Sequence, residues 1–277
     1  MNHPLVSVII PLYNQEPYIK EALCSVANQT YTNWEVIVMD DSSTDHSIQV
    51  VQEIVQADSR FYLYSQPNSG PSIARNECIA RSKGKYILPL DGDDKIAPTY
   101  IEKAVEYLEC HPNCKLVYCK AEKFGAGSGS WPLPEYKYEN LLWENMIFCT
   151  AMFRRSDYDK TIGYNPNMVL GLEDWDFWLS LLSPEDEVHR IEEVLFYYRI
   201  KSISRTTELS PRYDEATRQI YRNHTEIYKS FAESTINTHN VLRYKDMEIS
   251  RILNSKTFKA GWIVTAPYRF IKKLFKH

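Results

Sequence analysis

The chain has 277 residues, 44% hydrophobic and 25% charged, a globular composition long enough for one large domain or two small ones. Nine glycines and fourteen prolines exclude a collagen-like or low-complexity chain, and no stretch approaches the roughly 18 uninterrupted apolar residues of a membrane-spanning helix. The net charge of −4 is unevenly spread: residues 249–277 hold seven Lys or Arg and no acid, leaving −11 on the rest. That balance argues against nucleic acid as a partner, since such binders carry a basic face on the folded domain.

The opening MNHPLVSVIIPLYN has an apolar run but neither a basic leader nor a small-residue cleavage site, so it reads as a buried strand and not as a secretory signal. Further strand-like runs follow at Glu35 to Met39, Phe61 to Tyr64, Tyr86 to Leu90 and Leu116 to Cys119. Between them, Glu16 to Ala27, Asp45 to Val55, Pro71 to Arg81 and Pro98 to Glu109 carry apolar residues at helical spacing. Strands alternating with helices imply βαβ units: an α/β fold with a mainly parallel central sheet flanked by helices. The helix at Pro71 is clearly punctuated, with Ser69 as its expected cap, Pro71 in its first turn and Gly84 beyond its basic end. Its N-terminus could receive an anion.

The stretch GAGSGSWPLP, Gly125 to Pro134, predicts a long loop, before strand-like FCTAMFRR. A helix is expected from Glu173 to Leu182, a strand from Val188 to Tyr198, and helices from Arg212 onward. The expected division is an α/β domain at 1–205 and a helical extension at 206–277 ending in a basic amphipathic tail. In the tail, Phe270, Ile271, Leu274 and Phe275 form one helical stripe beside Arg269, Lys272, Lys273 and Lys276. This is the pattern of a helix lying on anionic lipid, equally compatible with a helix packed on the protein. Six cysteines in a chain of this length predict reduced thiols in a cytoplasmic protein. His111, Cys114 and Cys119 match no standard zinc spacing and lack a fourth ligand.

In open α/β sheets ligands sit outside the carboxyl ends of the strands. There the chain places Pro11-Leu12-Tyr13-Asn14, then Asp40-Asp41-Ser42-Ser43-Thr44-Asp45, then Asp91-Gly92-Asp93-Asp94. Carboxylates crowded at one sheet edge repel unless a cation or ligand donors lie between them, and oxygen-only ligands favour Mg²⁺ or Mn²⁺ completed by water and substrate phosphate. Taken singly, the first aspartate cluster also reads as an Asx-turn and helix cap, and the second as a turn.

The motifs VSVIIPLYN, WEVIVMDDSSTD, GPSIARN, GKYILPLDGDD and GLEDWDFW, spread over roughly residues 5 to 200, together resemble a family 2 glycosyltransferase of GT-A (Rossmann-like) fold. The resemblance implies Asp93 as the metal ligand, with Asp91 a ribose or metal-shell contact. It implies Asp41 as the reader of base or ribose, Pro11 lining the base pocket beside Tyr13, and Arg75 and Asn76 near the nucleotide. Asp174, beside Glu173, matches the base that takes the acceptor proton, and Arg199 resembles a residue that closes over the diphosphate. Trp131 is the expected acceptor-sugar platform, with Glu173 and Trp175 beside it; Trp178 reads as core.

The implied activity is inverting, Mn²⁺- or Mg²⁺-dependent transfer from a nucleotide-sugar donor, a UDP-sugar by resemblance, to a glycan or lipid-linked glycan at the inner face of the cell membrane. A sugar-phosphate nucleotidyltransferase is the rival enzyme, but its Gly-rich basic loop is missing from PLYNQEPY. A nucleotide-sugar-binding protein without turnover is the non-enzymatic rival, and Asp174 argues against it.

Overall fold

A computed structural model describes residues 3–202 and 210–255. The chain forms two compact units, Met1–His224 and Thr225–His277.

In the first unit, strand β1 (Val6–Leu12) leads to helix α1 (Ile19–Ala27), then β2 (Trp34–Asp40), α2 (Ser47–Ala57), β3 (Phe61–Ser65), α3 (Pro71–Arg81) and β4 (Tyr86–Pro89). Next come β5 (Lys95–Ile96), α4 (Tyr100–Cys110), β6 (Cys114–Gly125), β7 (Gly129–Trp131), α5 (Tyr138–Leu141), β8 (Met152–Arg154) and α6 (Arg155–Tyr158). The unit closes with α7 (Glu173–Leu181), β9 (Glu187–Ile200), a 3-10 turn (Ser210–Arg212) and α8 (Tyr213–Asn223).

One sheet runs in the order β3-β2-β1-β4-β8-β6-β9-β5, with β7 on β6. The first four strands are parallel; β8 is antiparallel to both β4 and β6, while β6 and β9 run parallel. All seven residues of β2 are buried, as expected of a parallel strand covered on both faces. Helix α3 packs on β1 and β2, and α4 on β6 and β9. Apolar spacing explains the covering faces: α1 buries Ile19, Ala22, Leu23 and Val26, one stripe of a 3.6-residue period. Fully burying one such aliphatic side chain stabilises the fold by about 1.5–3 kcal/mol.

The order reverses at β1, whose two neighbours are β2 and β4, so the carboxyl ends of β1, β2 and β4 open onto one crevice. Residues 13–14, 41–45 and 91–94 therefore share a rim. Gly84, just before β4, is required by close approach, since a Cβ there would lie 2.6 Å from the Ser7 backbone nitrogen.

The alternation is as the sequence implies, with two local corrections. Residues 125–134 are not a plain loop: Gly125 and Gly129 take φ of +90° and +127°, turning the chain so that Trp131 of β7 pairs with Ala121 of β6. Ser69 does not cap α3. Gly70 holds that position, and the Ser69 hydroxyl donates to the Pro67 carbonyl at 2.7 Å. All six cysteines are free thiols.

In the second unit, α9 (Thr225–Asn254) is a 30-residue helix with no buried residue. No helix among the described residues is long and apolar enough to cross a membrane. The tail stripe at 269–276 lies outside the described residues.

Candidate active site

The rim is built from loops that fasten one another. Asn14 and Ser42 adopt φ of +51° and +65°, conformations that short polar residues tolerate where local hydrogen bonds hold them. The Asn14 N–H donates to the Ser43 hydroxyl at 3.0 Å, and the Thr44 N–H donates to Asn14 Oδ1 at 2.7 Å. Asp45 accepts from the Ser47 N–H at 3.0 Å in the turn that opens α2. Its neighbour Asp41 does something different. Buried to 5% exposure, its carboxylate accepts from Gln66 Nε2 and from the Ser69 and Gly70 N–H groups, each at 2.8 Å. The anion at the N-terminus of α3 is thus the chain's own. Pro11 lies beside it in β1, half-buried and in register with Met39, and Tyr13 is exposed.

After β4 the chain turns sharply, the Asp94 N–H reaching back to the Asp91 carbonyl at 3.1 Å. Asp91 Oδ1 pairs with Arg75 at 2.7 Å, and its Oδ2 accepts from the Cys149 thiol at 3.5 Å. Asp93 pairs with Lys201. Asp94 is buried, its Oδ1 accepting from the Arg199 N–H at 2.7 Å, while its Oδ2 finds no hydrogen-bond partner among the described residues. Burial, then repulsion from Asp91, raises the Asp93 pKa; burial, then Asp93 and Asp91, raises that of Asp94 well above the usual carboxylate range.

Across from this turn, α7 opens at Leu172, which takes φ of +62°. Asp174, half-buried, accepts from the Trp175 N–H at 2.8 Å and from Asn145 Nδ2 at 3.0 Å. Burial, then the neighbouring Glu173, pushes its pKa up to about 6. Arg75 joins the two sides. It is 2% exposed and holds Asp91 with one guanidinium nitrogen and Glu173 Oε1 with the other, at 2.9 Å. Burial alone would lower its pKa, but the two carboxylates outweigh burial and hold it well above the ordinary value.

The structure brings Asp41, Asp91, Asp93, Arg75 and Asp174 into one region and takes other expected residues out of play. Asn76 does not face the rim: its amide donates to the Tyr164 carbonyl at 2.8 Å and accepts from the Tyr164 N–H and Tyr158 hydroxyl at 2.9 and 3.0 Å. Trp175 is fully buried, its indole N–H on the Leu141 carbonyl at 2.6 Å, so it has no face for an acceptor sugar. Glu173 is buried against Arg75 and is likewise unavailable to an acceptor. Trp131 sits in a strand rather than in the expected loop, half-buried, with its ring centroid 4.7 Å from that of Tyr198 and 6.0 Å from that of Phe148.

Arg199 is held by the chain itself in this structure. Its Nε donates to the Asp93 carbonyl at 2.7 Å, its terminal nitrogen pairs with Glu21, and Phe124 and Tyr18 flank it at 4.2 and 4.6 Å. Lys201, Asn145 and Cys149 lie outside any motif and give no local signal in the sequence.

Among the described residues no three His, Cys, Asp or Glu side chains group closely enough to cage a metal ion unaided. The acidic turn nevertheless fits a divalent ion held by one or two carboxylates and completed by substrate oxygen. Its donors are all hard oxygens, its carboxylates are crowded, and one buried oxygen, Asp94 Oδ2, lacks a partner among the described residues.

A mixed sheet flanked by helices, with its switch point at β1, is the architecture of GT-A glycosyltransferases. Solved structures share the architecture. S. aureus TarS 1-349 in complex with UDP-GlcNAc superposes at TM-score 0.63 with 20% identity, covering 79% of this chain and 66% of that one. The mannosyltransferase PcManGT of Pyrobaculum calidifontis, in complex with GDP-Man and Mn²⁺, does so at 0.61 with 19% identity, over 100% of this chain and 89% of that one.

The model of glycosyl transferase family 2 matches residues 7–172, and this chain belongs to that family. TuaG of Bacillus subtilis strain 168, a glycosyltransferase assigned by name to teichuronic acid biosynthesis, is 31% identical over 205 residues, 71% of this chain and 79% of TuaG.

Proposed function

We propose that this glycosyltransferase moves a sugar from a UDP-sugar to a hydroxyl of a glycan or lipid-linked glycan in surface polysaccharide synthesis, with inversion. The observation that carries the reading is the Arg75 bridge, which ties Asp91 on the donor side to Glu173, next to the acid Asp174. A single in-line displacement needs those two groups on opposite sides of the anomeric carbon.

Asp174 is the general base. As the acceptor oxygen bonds to the anomeric carbon, the hydroxyl proton passes to its carboxylate, and the carbon–oxygen bond to the diphosphate breaks with its electron pair on the diphosphate. A pKa near 6 leaves the carboxylate ionised at pH 7 yet more basic than an ordinary aspartate. Asn145 and the Trp175 N–H hold it in place. Asp41 would meet the base or ribose, with Pro11 and Tyr13 on the same rim. Asp93, with Asp91 in the shell, would hold Mn²⁺ or Mg²⁺. When bound, such an ion neutralises charge on the departing diphosphate. The teichuronic acid biosynthesis in TuaG's name supports a polysaccharide as product, and the UDP-GlcNAc complex of TarS supports the donor class.

The expected division into a transferase domain at 1–205 and an extension at 206–277 stands as part of the proposal, with the basic end of the extension on anionic lipid at the cytoplasmic membrane face.

The test is thermal-shift screening of purified protein with UDP-GlcNAc, other UDP-sugars and GDP-Man, with and without Mn²⁺, followed by release of nucleotide from the stabilising donor. Asp174→Asn should bind donor as the wild type does and lose about 10²–10⁴-fold in transfer. Unchanged transfer by that variant would remove the base assignment. Donor binding without turnover in the wild type would mean a binding protein.

A further inference from the structure

The acidic turn has a counter-ion supplied by the chain itself. Lys201, immediately beyond β9, places its Nζ on Asp93 Oδ2, 3.3 Å from Gln15 Oε1 and 5.4 Å from the centre of the Tyr18 ring. Both side chains of the pair are largely shielded, at 18% and 17% exposure. The position is delivered, not found by chance. Two residues earlier, the Arg199 N–H and Nε fasten the end of β9 to Asp94 Oδ1 and to the Asp93 carbonyl, each at 2.7 Å. The strand is held further back by β5, where Tyr197 pairs with Lys95.

Asp93 is the carboxylate proposed above to ligate the metal, so an ammonium and a divalent ion have claims on the same oxygen. In a shielded site two cations on one carboxylate repel strongly, and both stay only if further negative charge arrives. A nucleoside diphosphate brings that charge; a bare ion does not.

Resting on the reading of Asp93 as the metal ligand, we infer that Lys201 is the resident counter-cation of Asp93, opposing the bare divalent ion, so that metal and nucleotide diphosphate load together. Lys201 balances the crowded carboxylates while no donor is present. It yields Asp93 when diphosphate oxygens enter to share the positive charge. It therefore sets how strongly metal binding depends on nucleotide.

The experiment is Mn²⁺ titration followed by electron paramagnetic resonance of free Mn²⁺, on full-length protein with and without UDP. The variants are Lys201→Met, Lys201→Arg and Asp93→Asn, each checked for native circular dichroism. Wild type should bind Mn²⁺ weakly alone and more tightly with UDP. Lys201→Met should tighten binding of Mn²⁺ alone on the order of tenfold and shrink the gain from UDP, because the opposing charge is gone. Lys201→Arg keeps the charge and should behave as wild type. If Lys201→Met leaves the Mn²⁺ affinity within about twofold of wild type, or weakens it, while Asp93→Asn abolishes binding, the counter-cation role is overturned and the metal ligand stands. If Asp93→Asn binds Mn²⁺ as wild type does, the metal assignment itself fails.

Discussion

Replacing Arg75 by Met should destabilise the fold more than any other single change at the site. The guanidinium is 2% exposed and makes two ion pairs, one to Glu173, whose side chain is 7% exposed, and one to Asp91, whose side chain is 33% exposed. Methionine fills much of the volume and removes the guanidinium from both carboxylates. Breaking a buried pair costs about 3–5 kcal/mol because the remaining charge loses its partner in a poorly hydrated place. Asp91 can recover water, so its share is discounted, and most of the cost comes from Glu173: about 3 kcal/mol in all. For a domain of this size that is a fall in Tm of about 6–12 °C. Urea unfolding followed by tryptophan fluorescence, with calorimetry for Tm, measures it. Adding Glu173→Gln should restore about half the loss, because a neutral amide needs no counter-charge. An Arg75→Met protein within about 1 kcal/mol of wild type, or a double variant no more stable than the single one, would refute the reasoning.

Asn76→Ala should cost about 1–3 kcal/mol in urea unfolding, since three hydrogen bonds to the 158–164 segment are lost, and should leave UDP affinity by calorimetry unchanged. A tenfold loss of UDP binding at unchanged stability would return Asn76 to the nucleotide. The pH profile of kcat/KM should have an acid limb near pH 6, falling as the Asp174 carboxylate takes up its proton. The stability linkage has the opposite sign. A carboxyl whose folded pKa is raised binds its proton more tightly when folded, so its stabilisation is complete below about pH 4 and lost as pH rises through about 6. Activity should therefore fall between pH 6 and 4 with no unfolding attributable to Asp174. A limb at or below about pH 4, where an ordinary aspartate titrates, would contradict the burial of this acid.

Much of the architecture was legible because its signals are local. Runs such as Val36 to Met39, short and β-branched, read as strands covered on both faces, and the alternation of strands with helices puts Asp41 and Asp91 after the second and fourth strands of one parallel sheet. What was not legible depends on pairing between distant segments. Lys201 is an ordinary lysine until β9 is known to lie between β6 and β5, which is what carries residue 201 to residue 93. Asn145 has no motif, and its role exists only because α5 and the following loop approach α7. Helix geometry explains two of the misplaced residues. Asn76 follows Arg75 by one position, about 100° around α3, so the two side chains enter different surroundings. Trp175 and Trp178, three apart, share the face that α7 turns inward, and both are fully buried.

The three donors on Asp41 have a consequence for how nucleotides are told apart. Gln66 and the two backbone N–H groups fix the rotamer of this carboxylate; in the proposed role of Asp41 as reader of the base, a ring bearing an N–H would meet a stationary acceptor and spend little entropy on ordering it. The same arrangement makes asparagine a poor substitute. An amide has one oxygen where the carboxylate has two, so its NH₂ would face either Gln66 and the Ser69 N–H or the Gly70 N–H, donor against donor. A residue that looks conservatively replaceable on paper is thereby locked to one chemical identity by one side-chain amide and two main-chain N–H groups.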